Sequence, residues 1–187
     1  MLVSSSYKVL HKGSPAPHFS LVGTDGKRYG LEDFRGRRAL LIIFMCNHCP
    51  YVQPKMDYFA GLQRRYGPLG LQVIGVNPND ASKYPEDSMA KMKEYSERHG
   101  FGFPYLADED GAAARSYGAV CTPDPFLFDC DMKLAYHGRF DDAHGRPHEE
   151  GKTAEMEEAI RQLISGSDVT VPPLPSMGCS IKWRSGI

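Results

Sequence analysis

The sequence lacks a long apolar segment. No run approaches the roughly 18 consecutive apolar residues that a membrane-spanning helix requires, and residues 1–13 have no apolar core of signal-peptide length. These absences argue against insertion into a membrane and against export. We therefore expect a soluble protein with no membrane partner and a cytoplasmic location.

An excess of charge of one sign is also absent. The chain has 22 basic and 23 acidic residues and a net charge of −1, which gives no electrostatic reason to expect nucleic acid as a partner. Its 187 residues, of which 41% are hydrophobic and 24% are charged, fit an ordinary globular protein. We expect a single domain over residues 1–187, with a core over about 13–166 and a C-terminal tail over 167–187.

Cysteine is scarce, and it forms a single closely spaced pair. Cys46 and Cys49 form a Cys-x-x-Cys motif, whereas the other three of the five cysteines stand alone. A structural zinc site needs four ligands, usually from two such pairs, so the motif favours redox chemistry over metal binding. Cytoplasmic thiols are kept reduced, and a Cys-x-x-Cys there is more often catalytic than structural. We expect no metal and no cofactor other than a redox-active disulfide.

The cysteine pair lies between a predicted strand and a predicted helix. Residues 39–45 are wholly apolar, which is typical of a strand buried on both faces. After Pro50, apolar residues recur at helical spacing. The pattern therefore predicts that Cys49 lies in the first turn of that helix. The unpaired N–H groups and the dipole of a helix N-terminus lower cysteine pKa values to roughly 3.5–7.5 in such motifs.

The order of the two cysteines predicts their roles. We expect Cys46 to be the more exposed thiol and to attack a disulfide as a thiolate. Cys49, one helical turn away, would then release the mixed disulfide. His48, which lies between them in sequence, would supply a hydrogen-bond donor or a positive charge beside either sulfur.

The remaining pattern predicts an α/β fold. A second buried strand follows the first helix, so these two strands are expected to be parallel. We expect a mixed central β-sheet flanked by helices on both faces, with an N-terminal β-hairpin and an irregular C-terminal tail. Function is expected at the carboxyl end of the central strand. The further predicted segments are a hairpin over 19–31, strands over 71–76 and 103–107, helices over 85–100, 111–117 and 153–165, and a hairpin over 125–137.

Four short segments carry the motifs of one superfamily. They cover residues 13–19, 44–52, 121–124 and 178–183. With them, the chain resembles the peroxiredoxin-like superfamily (alkyl hydroperoxide reductase/thiol-specific antioxidant, or redoxin), in the branch that carries a Cys-x-x-Cys. The resemblance spans nearly the whole chain and implies a thioredoxin-like fold.

The resemblance also implies roles for individual residues. Pro123 matches the cis-proline that faces the cysteine pair in this fold, and it would leave the backbone of Thr122 free to pair with a substrate strand. We expect both residues, with Asn47, to bind substrate. His48 occupies the place of the histidine in the Cys-Gly-His-Cys motif of protein disulfide isomerase, where it stabilises the thiolate. Pro54 matches the proline that kinks the active-site helix of thioredoxins.

The motifs support peroxidase activity less well than they support disulfide exchange. Peroxiredoxins carry a threonine or serine three residues before the peroxidatic cysteine. The matching residue is Ile43 if Cys46 is that cysteine, and Cys46 if Cys49 is. The departure counts against a peroxidase but leaves this alternative open.

The group that deprotonates Cys49 is not identified by the sequence. Thioredoxins have a buried aspartate six residues before the first cysteine, and Leu40 stands at that position here. Asp57 and Asp124 are candidates by their proximity in sequence only.

The three single cysteines have different expected roles. Cys121 lies two residues before Pro123, so it is either a small buried hydrophobic residue or an accessory thiol. Cys130 is expected to be exposed in a hairpin turn. Cys179 belongs to the tail motif and has either a resolving or relay role or a packing role. We expect the tail to pack near the cysteine pair and the fluorescence of Trp183 to report on its oxidation.

A charged cluster near residue 140 is interpreted as a feature of the surface. Arg139, Asp141 and Asp142 would form exposed ion pairs. His144 and His148 lie in a predicted loop and are too isolated to suggest a metal site.

The combined interpretation is a thiol-disulfide oxidoreductase. Its expected partners are a disulfide-containing protein or a small thiol as substrate, and a thiol reductant such as a thioredoxin or glutathione system. One alternative is a peroxiredoxin-like thiol peroxidase. The other is a metal-handling module that uses Cys46, His48 and Cys49.

Overall fold

The computed structural model describes residues 2–3 and 9–184 of the chain. Within these residues it contains ten strands and four α-helices. The strands are β1 (Leu2–Val3), β2 (Ser20–Gly23), β3 (Arg28–Gly30), β4 (Ala39–Phe44), β5 (Leu71–Asn77), β6 (Tyr105–Ala107), β7 (Cys121–Thr122), β8 (Asp124–Asp129), β9 (Leu134–His137) and β10 (Met177–Ser180). The helices are α1 (Met56–Tyr66), α2 (Met89–Arg98), α3 (Ala112–Tyr117) and α4 (Glu155–Ile164).

The main sheet has seven strands in the order β3-β2-β6-β5-β4-β8-β9. Strand β5 is parallel to both β4 and β6, whereas β8 runs antiparallel to β4. Strands β2–β3 and β8–β9 form the two predicted hairpins. The predicted mixed sheet is therefore confirmed, and β4 lies inside it with all six residues buried.

The side chains of β4 alternate between two hydrophobic cores. Leu41 and Ile43 belong to the core that includes residues of α1, α2 and α4. Leu40 and Ile42 belong to the opposite core, which includes residues of α3. Helices therefore cover both faces of the sheet, as predicted. Among the described residues, no helix has both the length and the apolar composition needed to cross a bilayer.

The C-terminal tail is not wholly irregular, so this part of the fold prediction is wrong. Strand β10 pairs with β1 on one side and with β7 on the other, forming a second, three-stranded sheet. Gly178 permits this pairing, because a Cβ atom at this position would lie 2.1 Å from the carbonyl oxygen of Thr122. The strand depends on close backbone approach rather than on an alternating apolar pattern.

The first helix begins later than predicted. A turn and a short 3₁₀ helix, Gln53–Lys55, follow Pro50, and regular α-helix starts at Met56. Pro54 lies in the 3₁₀ segment, where its missing N–H group removes a bond that an α-helix beginning at Pro50 would need. It therefore precedes α1 instead of kinking it.

The charged cluster near residue 140 is partly buried, which corrects its interpretation as a surface network. Lys55 Nζ donates to both carboxylate oxygens of Asp141 at 2.8 and 2.7 Å, and the two side chains are 2% and 0% exposed. His148 also contacts Asp141, at 2.6 Å. Arg139 instead pairs with Glu155. The Lys55–Asp141 pair thus links the segment before α1 to the segment after β9.

Removal of the negative charge from this buried pair should destabilise the fold. We expect Asp141→Asn to lower the free energy of unfolding by about 3 kcal/mol, because the ammonium group of Lys55 remains buried without a counter-charge. Urea denaturation of the purified variant measures the change. Arg161→Ala is the matched control, since it removes an exposed ion pair with Glu158 and should change stability by less than about 0.5 kcal/mol. Equal effects of the two substitutions would contradict the prediction.

Candidate active site

The two cysteines of the motif meet at Thr122. Cys46 and Cys49 follow the carboxyl end of β4, and Thr122 ends β7 immediately before Pro123. The Sγ atom of Cys46 lies 3.4 Å from the hydroxyl of Thr122, and that of Cys49 lies 3.1 Å from its carbonyl oxygen. The Thr122–Pro123 peptide bond is cis. The structure therefore brings these four predicted site residues together at one edge of the sheet.

The expected exposure of Cys46 is wrong. Cys46 is only 1% exposed and Cys49 is 0% exposed. Strand β10 lies against the pair, since Cys179 is opposite Thr122 in the β7–β10 ladder and packs against the core that contains Cys46 and Cys49. The resemblance implies that the backbone of Thr122 is free to pair with a substrate strand. In this structure, however, β10 occupies that backbone.

Cys49 does not lie in the first turn of an α-helix, which is another correction. Its carbonyl oxygen accepts hydrogen bonds from the N–H groups of Val52 and Gln53 at 2.9 and 3.0 Å. These bonds belong to the turn before the 3₁₀ segment, and α1 begins only at Met56. Since the effect of a helix dipole falls off within the first turn, the α1 dipole does not account for the acidity of Cys49.

The thiol pair is acidic because its two sulfurs interact with each other. The hydrogen bond from Cys46 lowers the pKa of Cys49 to about 5. The same bond raises the pKa of Cys46, and burial and the nearby charge of Asp87 raise it further. Such a coupled pair loses its first proton well below the usual pKa of a thiol and its second far above it. One thiolate is therefore shared between the two sulfurs.

The contacts with Thr122 allow the one remaining proton of the pair to lie on Cys49 instead of on Cys46. A carbonyl oxygen only accepts hydrogen bonds, so the 3.1 Å contact with Cys49 requires a proton on Cys49. The hydroxyl of Thr122 can then donate to a thiolate on Cys46. When the proton moves from Cys46 to Cys49, Cys46 becomes the nucleophilic sulfur.

Asp87 is a site residue that the sequence did not reveal. Its side chain is fully buried and accepts hydrogen bonds from the N–H group of Asn47 at 2.8 Å and from the side chain of Asn79 at 2.9 Å. His48 contacts it at 2.6 Å and stacks on Tyr84. His48 therefore pairs with a carboxylate near the thiols, whereas the sequence suggested only an acidic residue at the start of a helix.

The same residues form a candidate cation-binding group. One potential ligand atom each from Cys46, His48 and Asp87 lies within 4.8 Å of the others. This set differs from the one expected for a metal-handling module, because Asp87 takes the place of Cys49. His48 Nδ1 and Asp87 already bond to each other in the structure.

Asn47, which we expect to bind substrate, makes its hydrogen bonds within the protein in this structure. It is 0% exposed, and its polar groups are occupied within the protein. Its backbone N–H donates to Asp87, and its side-chain amide donates to the carbonyl oxygen of Glu86. Tyr105 and Gln53 donate to its side-chain and backbone oxygens. Asn47 therefore fixes the loop between the two cysteines.

The two suggested proton acceptors have different positions. The side chain of Asp57 is 83% exposed and pairs with His99, so it is not part of the site. Asp124 is buried and bonds to His137 at 2.8 Å, and burial raises its pKa. Its charge acts on Cys121, the pKa of which is raised mainly by burial and then by Asp124.

The single cysteines occupy three environments. Cys121 is fully buried, and its raised pKa keeps it protonated, which agrees with the role of a small hydrophobic residue. Cys130 is exposed in the turn between β8 and β9. Cys179 is half-buried on β10, and burial, followed by its hydrogen bond to Cys49, raises its pKa to about 11.

The tail packs against the candidate site, as the sequence predicted. The carbonyl oxygen of Lys182 accepts a bond from the N–H of Asp80 at 2.8 Å, and its own N–H donates to Asn79 at 2.8 Å. Trp183 lies farther along, beside Gly111 and over Arg115 at 4.8 Å. The indole therefore lies beside α3, and a fluorescence change on oxidation of the cysteine pair stays a prediction.

The sheet, the flanking helices and the cysteine pair beside a cis-proline define a protein of the thioredoxin-like fold. Within that class, the chain belongs to the AhpC/TSA family, whose sequence profile matches residues 12–137. An uncharacterised conserved protein from Geobacillus kaustophilus has a similar crystal structure, with 38% sequence identity and a TM-score of 0.89. The similarity covers 97% of this chain and 96% of that one.

Two curated relatives are more distant. The thiol-disulfide oxidoreductase ResA from Bacillus thuringiensis subsp. konkukian is 25% identical over 122 residues, 65% of this chain and 66% of the relative. A proposed peroxiredoxin from Mycobacterium tuberculosis (strain ATCC 25618 / H37Rv) is 28% identical over 110 residues, 59% of this chain and 65% of the relative. The chain thus spans just under two thirds of the length of both.

The shared thiolate predicts an acidic titration of the reduced protein. We expect the ultraviolet absorbance of a thiolate to rise with pH around a midpoint near 5, since Cys49 loses its proton there. In Cys46→Ala the hydrogen-bond donor is lost, so the midpoint should move upward toward the usual value of about 8.5. Cys130→Ser removes an exposed thiol and should leave the acidic midpoint in place. An unchanged midpoint in Cys46→Ala would show that another group stabilises the thiolate.

Proposed function

We propose that this protein is a thiol-disulfide oxidoreductase that works through Cys46 and Cys49. The observation that carries the proposal is the geometry of the pair, in which both sulfurs contact Thr122 beside the cis-proline. Only a thiolate attacks a disulfide, and a pair with a lowered first pKa supplies one at neutral pH. The similarity to a relative named thiol-disulfide oxidoreductase supports the same chemistry.

The first step is attack by Cys46. Its thiolate forms a bond to one sulfur of the substrate disulfide, the substrate S–S bond breaks, and the first substrate thiolate leaves. The proton of Cys46 first moves to Cys49, which then hydrogen bonds to the carbonyl oxygen of Thr122, and the hydroxyl of Thr122 stabilises the resulting Cys46 thiolate. His48 supports this step indirectly, because its contact with Asp87 offsets the negative charge that raises the pKa of Cys46.

The second step releases the product. Cys49 loses its proton and attacks the sulfur of Cys46, which forms the Cys46–Cys49 disulfide and breaks the mixed disulfide. The second substrate thiolate leaves and takes up a proton. Two electrons pass from the protein to the substrate, so a thiol reductant must restore the dithiol.

Substitution of either cysteine tests this mechanism. We expect Cys46→Ser and Cys49→Ser to reduce bis(hydroxyethyl) disulfide at least about 100-fold more slowly than the wild type, because each removes a reacting sulfur. Cys49→Ser should also accumulate a mixed disulfide at Cys46 that mass spectrometry detects. Cys130→Ser is the matched control and should keep the wild-type rate. A wild-type rate in Cys46→Ser would refute the assignment.

A thiol peroxidase is the second candidate function. The hydroxyl of Thr122, 3.4 Å from Cys46, supplies the kind of donor that the sequence lacks three residues before either cysteine. Similarity to a proposed peroxiredoxin agrees with this possibility. We favour disulfide exchange, because neither Cys46 nor Cys49 has the threonine or serine three residues before it that peroxiredoxins carry.

Peroxide consumption distinguishes these two functions. With a thiol reductant in excess, we expect the purified protein to consume hydrogen peroxide far more slowly than it reduces a small disulfide. Thr122→Val should slow peroxide consumption and disulfide reduction to a similar degree, because the hydroxyl stabilises the same Cys46 thiolate in both reactions, whereas a peroxidase would lose its peroxide activity selectively. Rapid peroxide loss that depends on Cys46 and Thr122 would favour the peroxidase.

Metal handling is the weaker alternative. Cys46, His48 and Asp87 form a group of suitable atoms. However, His48 and Asp87 are bonded to each other at 2.6 Å, and Asp87 also accepts bonds from Asn47 and Asn79. A cation would have to replace the His48–Asp87 bond, so we propose redox chemistry as the principal function.

The proposed setting is a reducing compartment such as the cytoplasm. The Cys46–Cys49 pair can reduce a disulfide only where it is itself kept reduced, as glutathione and thioredoxin systems do in the cytoplasm. Such a system is also the proposed source of electrons for the oxidised pair. Redox trapping of the thiols in intact cells tests this, since a predominantly oxidised pair would point to an oxidising compartment.

A further inference from the structure

The proposed chemistry requires the sulfurs to meet partners that they do not reach in this structure. Cys46 and Cys49 are 1% and 0% exposed, and Cys121 beside them is also 0% exposed. Cys179 is the one half-buried thiol of this four-cysteine cluster. Its side chain packs against the hydrophobic core that contains Cys46 and Cys49. Cys179 therefore lies between solvent and the buried pair.

The tail holds Cys179 in this place by backbone contacts. Cys179 is opposite Thr122, and Ser180 is opposite Cys121, in the β7–β10 ladder. At the preceding residue, Gly178 approaches Thr122 so closely that a Cβ atom would lie 2.1 Å from its carbonyl oxygen. On the other side, the backbone N–H of Lys182 donates to the side-chain oxygen of Asn79, and its carbonyl oxygen accepts from the N–H of Asp80. Anchors on both sides fix Cys179 against Cys49.

We propose that Cys179 is a third redox-active thiol, through which the buried cysteine pair exchanges disulfides with small thiols in solution. This inference rests on the proposed function and adds a route and a class of partner to it. An extended protein strand is a poorer partner, because β10 already occupies the backbone of Thr122.

The internal step is a disulfide isomerisation. In the oxidised protein, the thiolate of Cys179 attacks the sulfur of Cys49. A Cys49–Cys179 bond forms, the Cys46–Cys49 bond breaks, and Cys46 leaves as a thiolate that takes up the proton lost by Cys179. No electrons enter or leave in this step, so no external oxidant is required.

The second step exchanges with solvent. The thiolate of a small thiol attacks the half-buried sulfur of Cys179, and Cys49 leaves as a thiolate. The lowered pKa of Cys49 makes it a good leaving group. A second small thiol then attacks the small-molecule sulfur of the mixed disulfide on Cys179. This step releases the oxidised small-molecule disulfide and restores the thiolate of Cys179. Two small thiols are oxidised for each protein disulfide that is reduced.

Cys121 is a poorer third thiol than Cys179. Its sulfur is fully buried, and burial together with the charge of Asp124 raises its pKa. Its nearest polar contact is the carbonyl oxygen of Pro123, 3.9 Å away. Cys121 therefore lacks the exposure that the exchange with a small thiol in solution requires.

Mapping the disulfides of Cys46→Ser tests the internal step. This variant of the full chain cannot form the Cys46–Cys49 bond, so oxidation with diamide should produce a Cys49–Cys179 disulfide that peptide mass spectrometry identifies. Gly178→Ala added to Cys46→Ser should abolish this bond, because the added Cβ atom displaces β10 from Thr122. Gly102→Ala is the matched control, since its Cβ atom would make only an ordinary contact with Gln63 at 3.6 Å. A Cys49–Cys121 bond, or no bond, in Cys46→Ser would overturn the proposal.

Reduction kinetics test the exchange with solvent. We expect the oxidised Cys46–Cys49 pair of Cys179→Ser to be reduced by glutathione about tenfold or more slowly than that of the wild type, because the relay sulfur is absent. Cys130→Ser keeps the relay and should match the wild type. Equal rates for Cys179→Ser and the wild type would overturn the proposal, while the effects of Cys46→Ser and Cys49→Ser would still support the proposed function. If the wild-type pair does not exchange at all, the proposed function itself fails.

Discussion

Three kinds of contact converge on Thr122, and the candidate site depends on them. Its hydroxyl lies beside Cys46, its carbonyl oxygen lies beside Cys49, and its backbone pairs with β10 opposite Cys179. A single residue therefore holds the proton of one thiol, stabilises the thiolate of another and positions a third. Two of these three contacts use the backbone of Thr122, so backbone geometry contributes to the arrangement as much as side chains do.

Two buried carboxylates, those of Asp87 and Asp141, have different partners in the structure. Asp87 is held by backbone and amide donors and contacts His48, so its negative charge influences the thiols. Asp141 is held by Lys55 and fastens the beginning of α1 to a distant loop. The carboxylate of Asp87 raises the pKa of Cys46, and that of Asp141 joins the 3₁₀ segment before α1 to the segment after β9.

The sequence predicted those features that depend on local patterns. The apolar run over residues 39–45 is sufficient to identify β4, and the spacing of Cys46 and Cys49 places the site at its carboxyl end. The predicted mixed sheet and its helices on both faces follow from the alternation of such segments. The tail motif correctly indicated that the C-terminus packs near the thiols. These successes rest on periodicity and short motifs, which are readable along the chain.

The features that were missed depend on contacts between distant segments. The burial of Cys46, the strand at Met177–Ser180 and the position of Cys179 all result from one backbone pairing, which has no periodic signal. The burial of Asp87 was equally unreadable, because an acidic residue after a proline is typical of an exposed helix start. The sequence predicts that Asn47 is available to a substrate, yet four neighbouring groups bond to its polar atoms.

The contact between Cys49 and Cys179 joins positions that are far apart along the chain. A bond between them would enclose about 130 residues, whereas a bond between Cys46 and Cys49 encloses about four. In the chain-entropy description of crosslinks, the larger ring restricts the denatured chain more, by about 3 kcal/mol at room temperature. Two oxidised isomers with the same number of electrons would therefore differ in resistance to heat, and calorimetry could distinguish them without chemical labelling.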